Sequence, residues 1–166
     1  MSLDNIQLTP FLIQELYKNS LIDLDNSQLI TESLKTDEPA FLGRNEKNIL
    51  IIVNEENAVY LADEHLQFLI GILEACKLSL SDTALVNFNK NRGLSYKALQ
   101  EKFKPGIILF FGVEPASLEF PLQFPHYQLQ PYNKQTYLSG PDLGTLGADI
   151  QQKKLLWACL KNLFSI

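Results

Sequence analysis

The chain has 166 residues, 46% hydrophobic and 20% charged, with a net charge of −5 at pH 7. That length suits one ordinary domain with a sizeable core, and the composition excludes a chain disordered throughout. No run of about 18 apolar residues occurs, which excludes a membrane-spanning helix.

The start, Met1-Ser2-Leu3-Asp4-Asn5, lacks the basic and apolar stretches of a signal peptide, so the expected compartment is the cytoplasm. Cys76 and Cys159 each sit in an apolar helical pattern, where cysteine acts as a small buried hydrophobe rather than a disulfide partner. Charge is unevenly spread. Residues 1–64 hold 12 acids against 4 bases, and residues 65–166 hold 7 against 10. Sequence-independent nucleic-acid binding needs a dense basic face. The nearest approach is Lys90, Arg92, Lys97, Lys102 and Lys104, interrupted by Glu101, and it reads as a solvated surface. Direct nucleic-acid binding is therefore not the leading expectation.

Thr9-Pro10 has the form of an N-cap followed by proline in the first helical position, and Phe11, Leu12, Leu16 and Tyr17 then share one apolar face. Residues 1–40 are expected to form a helical arm that packs on its own domain or docks on a partner, and residues 41–166 an α/β domain. Ile49-Leu50-Ile51-Ile52-Val53 is a continuous apolar run, the mark of a strand buried on both faces. After the polar turn Asn54–Asn57, Asp63 is expected to cap a helix whose apolar face is Leu66, Leu69, Ile70, Leu73 and Cys76. Residues 83–88 predict a second strand, 95–103 a short helix broken by Pro105-Gly106, and 107–111 a third strand.

The stretch 115–125, with prolines at 115, 121 and 125, is too broken for a helix. Residues 126–130 alternate as in an edge strand, and 132–140 read as a loop or a second short extended piece. The glycines 140, 144 and 147 predict a turn into the last helix. That helix places Ile150, Leu156, Trp157, Leu160, Leu163 and Phe164 on one apolar face, with Asp149 and Lys153 spaced for an i,i+4 pair. Alternating strands and helices predict a three-layer α/β sandwich with a short, mainly parallel central sheet.

Motifs for chemistry are sparse. Neither glycine-rich phosphate cradle is present, and Asn54-Glu55-Glu56-Asn57 after the first strand offers carboxylates that repel phosphate. Asp63-Glu64-His65 is the only local metal-type cluster, but adjacent helical residues diverge, so a capping Asp and a surface His are expected. No nucleophile elbow occurs, and His126 has no assignable acid or base in the sequence. No cofactor, metal or catalytic residue is expected. Trp157, the sole tryptophan, is either core or an interface anchor.

The segment Ser139-Gly140-Pro141-Asp142-Leu143-Gly144-Thr145-Leu146, then Asp149, then Lys153-Lys154-Leu155-Leu156-Trp157-Ala158-Cys159-Leu160, resembles the C-terminal end of the psi-subunit family of bacterial DNA polymerase III. The apolar stretch 69–80 and the strand after it are similar to the corresponding part of psi. The resemblance implies a fold like that of uracil-DNA glycosylases without their chemistry. It also implies a non-enzymatic connector whose domain binds a chi subunit and whose arm binds the clamp-loader core. The arm here departs from the family: it is acidic, with Tyr17 and no Arg or Trp. Candidate partner-binding residues are Phe11, Leu12, Leu16, Tyr17 and Trp157. The alternative from the same fold is a divergent uracil-DNA-glycosylase-like enzyme, for which Gly112-Val113-Glu114-Pro115 has the look of a glycosylase motif, although it follows the third strand. A further alternative is a self-associating domain, as a homodimer.

Overall fold

A computed structural model describes residues 39–166, which form an α/β domain around one six-stranded sheet. Phe11, Leu12, Leu16 and Tyr17, and the expected arm up to residue 38, lie outside the described residues. The strands are β1 (Phe41–Gly43), β2 (Ile49–Val53), β3 (Thr83–Asn87), β4 (Ile107–Phe111), β5 (Gln130–Tyr132) and β6 (Gln135–Gly140). Four α-helices accompany them: α1 (Asp63–Ala75), α2 (Tyr96–Phe103), α3 (Leu143–Ala148) and α4 (Ile150–Phe164). No helix among the described residues is long and apolar enough to cross a membrane.

The strand order is β1-β3-β2-β4-β6-β5, and the sheet is mixed rather than mainly parallel. The four inner strands run parallel, and both edges are antiparallel. The reason at one edge is local: Asn133 and Lys134, both at positive φ, make a two-residue turn between Tyr132 and Gln135, and a hairpin can only pair antiparallel. At the other edge, β1 runs against β3 through Gly43, whose φ is +108° and where a Cβ would stand 2.1 Å from the Thr83 carbonyl oxygen.

Alternation along the inner strands divides the core in two. Ile49, Ile51, Val53, Leu85, Leu109 and Phe111 face α1, α3 and α4, where Leu69, Leu73, Leu146, Leu156 and Leu160 cover them. Leu50, Ile52, Val86, Ile108, Phe110 and Tyr137 face α2 and the 113–120 segment, meeting Leu99, Phe103, Leu118 and Phe120. Both faces being covered is why β2 reads as an unbroken apolar run.

Three expectations are corrected. First, the edge strand lies at 130–132 rather than 126–130, where His126 makes only an isolated bridge to Ser139; of the two readings of 132–140, the extended one holds, as the inner strand β6. Polar residues disguise β6: buried Gln135 bonds to Tyr96, Tyr137, Gln100 and the Pro105 carbonyl, so its amide is satisfied without water. Second, β6 leads not into a turn but into α3, capped by the Asp142 carboxylate, which accepts from the Thr145 N–H at 2.9 Å and its hydroxyl at 2.7 Å. Third, Ala62, not Asp63, occupies the N-cap of α1; Asp63 and Glu64 fall in the first turn, where negative charge suits the helix dipole.

Candidate functional sites

Registers place Asn87, Val53, Phe111 and Gly140 side by side at the carboxyl ends of the four parallel strands. From β2 the chain passes to β3 on one side, whereas from β4 it passes to β6 on the other, so the order reverses between β2 and β4. In open α/β sheets, ligands lodge outside the strand ends at such a reversal. Two hollows of about 290 and 400 Å³ lie there, with Asp142 lining both. Gly112, at φ +68°, allows this approach, because a Cβ there would come within 2.9 Å of the Asp142 Cβ.

In the smaller hollow, His65 Nδ1 faces Glu55 Oε2 at 3.2 Å. Buried Asn87 builds this site from beneath: its Oδ1 accepts from the Glu55 N–H at 3.0 Å, and its Nδ2 donates to the Glu55 carbonyl at 2.8 Å and the Ala58 carbonyl at 3.0 Å. The Asn57 backbone N–H lowers the Glu55 carboxyl pKa; burial opposes this and the nearby His65 assists. In the larger hollow, Ser139 Oγ lies 3.2 Å from His126 Nδ1. Burial pushes the Asp142 carboxyl up, but its bonds from Thr145 and nearby backbone N–H groups outweigh this and leave it lowered.

His65, expected as a surface side chain, is half-buried against Glu55, whereas His126 meets the Ser139 hydroxyl, which is neither an acid nor a base. Glu55 and His65 are ten residues apart and on different elements, so no local motif announces them; Ser139 was hidden with its strand. The two hollows together present Glu55, Glu56, Glu114 and Asp142 and no Lys or Arg among the described residues that line them. Such a crevice suits neutral or cationic groups and repels phosphate. No group of three or more His, Cys, Asp or Glu is placed to hold a metal among the described residues.

The basic cluster is partly engaged in the fold. Lys90 donates to the Glu56 carbonyl at 2.6 Å, and Lys102 Nζ sits 5.1 Å from the Phe41 ring centroid. Both cysteines are free: Cys76 is buried in the core, and Cys159 donates to the Tyr127 carbonyl. Burial raises both thiol pKa values.

A different surface lies between α1 and α4. The two helices are bridged by α3, which packs on both, and they leave an apolar groove of about 480 Å³ between them. Phe68, Gly71, Ile72 and Ala75 of α1 line one side, and Leu156, Trp157 and Leu160 of α4 the other. The single apolar face expected for α4 splits in two. Leu156 and Leu160 point into the core, whereas Trp157 is 37% exposed, Leu155 49% and Ile150 67%. Trp157 is therefore not a core residue. Lys153 does not pair with Asp149: its Nζ lies 5.3 Å from the Phe68 ring centroid, while the Asp149 carboxylate caps α4 at the Gln151 and Gln152 N–H groups. Lys154 and Lys161, both exposed, stand one turn either side of Trp157, and α4 carries no acidic residue.

Comparison with known proteins finds no matching family model and no matching curated protein.

Proposed function

We propose that this chain is a non-enzymatic protein-interaction subunit of the psi type, acting in DNA replication as a connector in the clamp-loader assembly of a bacterial DNA polymerase III. The observation that carries the reading is the α1–α4 groove, where the sole tryptophan stands part-exposed beside Phe68 and Ile72 of the facing helix instead of in the core. Large aromatics on a surface otherwise free to be polar are the usual anchors of protein interfaces. Parallel inner strands with helices on both faces support the uracil-DNA-glycosylase-like reading of the fold.

The test is recovery of partners by the tagged full chain from native lysate of the source cell, identified by mass spectrometry. Clamp-loader or single-strand-binding components, lost when Trp157→Ala is the bait, are the expected result. Their absence with the wild-type bait overturns the proposal.

The glycosylase-like alternative draws on the strand-end crevice, where Glu55 and His65 form a carboxylate–imidazole pair. Its four carboxylates, with no lysine or arginine among the described residues lining it, oppose a polyanionic substrate, which favours the interaction reading. Abasic sites formed on uracil-containing single-stranded DNA, and lost in Glu55→Gln, would reverse that preference.

A further inference from the structure

Gly71 sits in the middle of α1, a place where glycine weakens a helix relative to alanine. The described fold gives no reason for it: a Cβ built on Gly71 meets no atom of the described residues within 4 Å. The missing methyl therefore leaves clearance on the outside of the molecule, on the floor of the groove. Ala75, one turn further on, is also small and exposed, and Phe68 and Trp157 rise on either side. Small residues on the floor let a second helix approach to the short end of the usual interaxial range, with its own side-chain ridge set between the walls.

Charge adds a direction to this shape. The α4 edge presents Lys153, Lys154 and Lys161 and no acid, whereas α1 presents exposed Glu64 and Glu74 and no Lys or Arg. Resting on the interaction reading above, we propose that the occupant of the groove is an amphipathic α-helix of a partner protein. Its apolar ridge lies over Gly71 and Ala75, its acidic flank meets the lysines of α4, and its basic flank meets the glutamates of α1. This is the helix-in-groove mode, with the floor glycine as the point of closest approach.

The full chain reports on its own groove, because Trp157 is its only tryptophan. The probe is a synthetic amphipathic helical peptide with a Leu/Ala ridge, one Glu flank and one Lys flank; the control replaces the Glu flank with Lys. Titration is expected to give a saturable blue shift of the Trp157 emission, at least tenfold weaker for the control. Gly71→Ala is expected to raise the melting temperature while weakening the probe at least tenfold, so a loss of affinity cannot be loss of fold. No binding, equal binding of both peptides, or undiminished affinity in Gly71→Ala overturns the proposal. So does an emission shift with protein concentration alone, accompanied by sedimentation as a dimer, since the occupant is then a second copy. If native partners are still lost in Trp157→Ala but retained in Gly71→Ala, the helical occupant fails while the interaction reading stands.

Discussion

Truncating Trp157 separates an interface anchor from a core residue by magnitude alone. An enclosed tryptophan buries about 150–250 Å². At 37% exposure, Trp157 keeps roughly two-thirds of its surface covered. Roughly 130 Å² at about 25 cal/mol per Å² gives an upper bound near 3 kcal/mol, and residual burial in the denatured chain lowers it to about 2 kcal/mol. No cavity penalty follows, because the vacated wall opens to solvent. Leu160, one turn away and 1% exposed, is the internal standard. Its truncation to alanine leaves a closed void and should cost about 3–4 kcal/mol, within the range for buried leucines. Urea unfolding followed by far-ultraviolet circular dichroism compares both variants with wild type. A loss of 4 kcal/mol or more in Trp157→Ala, equal to or above that of Leu160→Ala, would refute the assignment of Trp157 to the surface.

Asn87→Ala removes five side-chain hydrogen bonds to the backbone of the 54–59 loop and the neighbouring 89 position. We expect a cost of about 2–4 kcal/mol and fast amide exchange at Glu55, since buried backbone groups lose their partners; unchanged exchange would show that the loop is held otherwise. Gly43→Ala should lower the melting temperature by several degrees or abolish folding, because its Cβ strikes the Thr83 carbonyl and the φ is left-handed; an unchanged melting temperature would contradict the β1–β3 pairing. Acid should destabilise the domain through Glu55, Asp82 and Asp142, all with lowered carboxyl pKa values. Groups depressed in the folded state add stability that is complete above their ordinary values of 4.5 and 3.8 and is lost as pH falls through their folded values. Melting temperatures should therefore hold down to about pH 5 and fall below about pH 4, with a shallower fall in Glu55→Gln; a flat profile to pH 2.5 would exclude these carboxylates as determinants.

Strands β2, β3 and β4 and helices α1, α2 and α4 are readable along the chain because each is an apolar run or a helical period bounded by polar or breaking residues. Strand β6 is readable only as one of two alternatives, and helix α3 not at all. Gln135 and Ser139 occupy buried positions that a sequence pattern assigns to water, and bonds with Tyr96, Tyr137, Gln100, the Pro105 carbonyl and His126 make those positions tolerable. Asp142, with Thr145 three residues on, was the one local signal for α3, and the surrounding glycines masked it.

Local patterns alone therefore determined an α/β domain with a buried sheet, and an amphipathic last helix carrying Trp157. Hydrophobic periodicity says that a helix has apolar sides; it does not say which side the sheet will cover. The tertiary structure decided that Leu156 and Leu160 take the core while Trp157, Leu155 and Ile150 remain outside. It also brought Glu55 to His65 and His126 to Ser139. These are contacts between separate segments, set by strand register and by the packing of α1, α3 and α4 on one face, and no spacing along the chain encodes them.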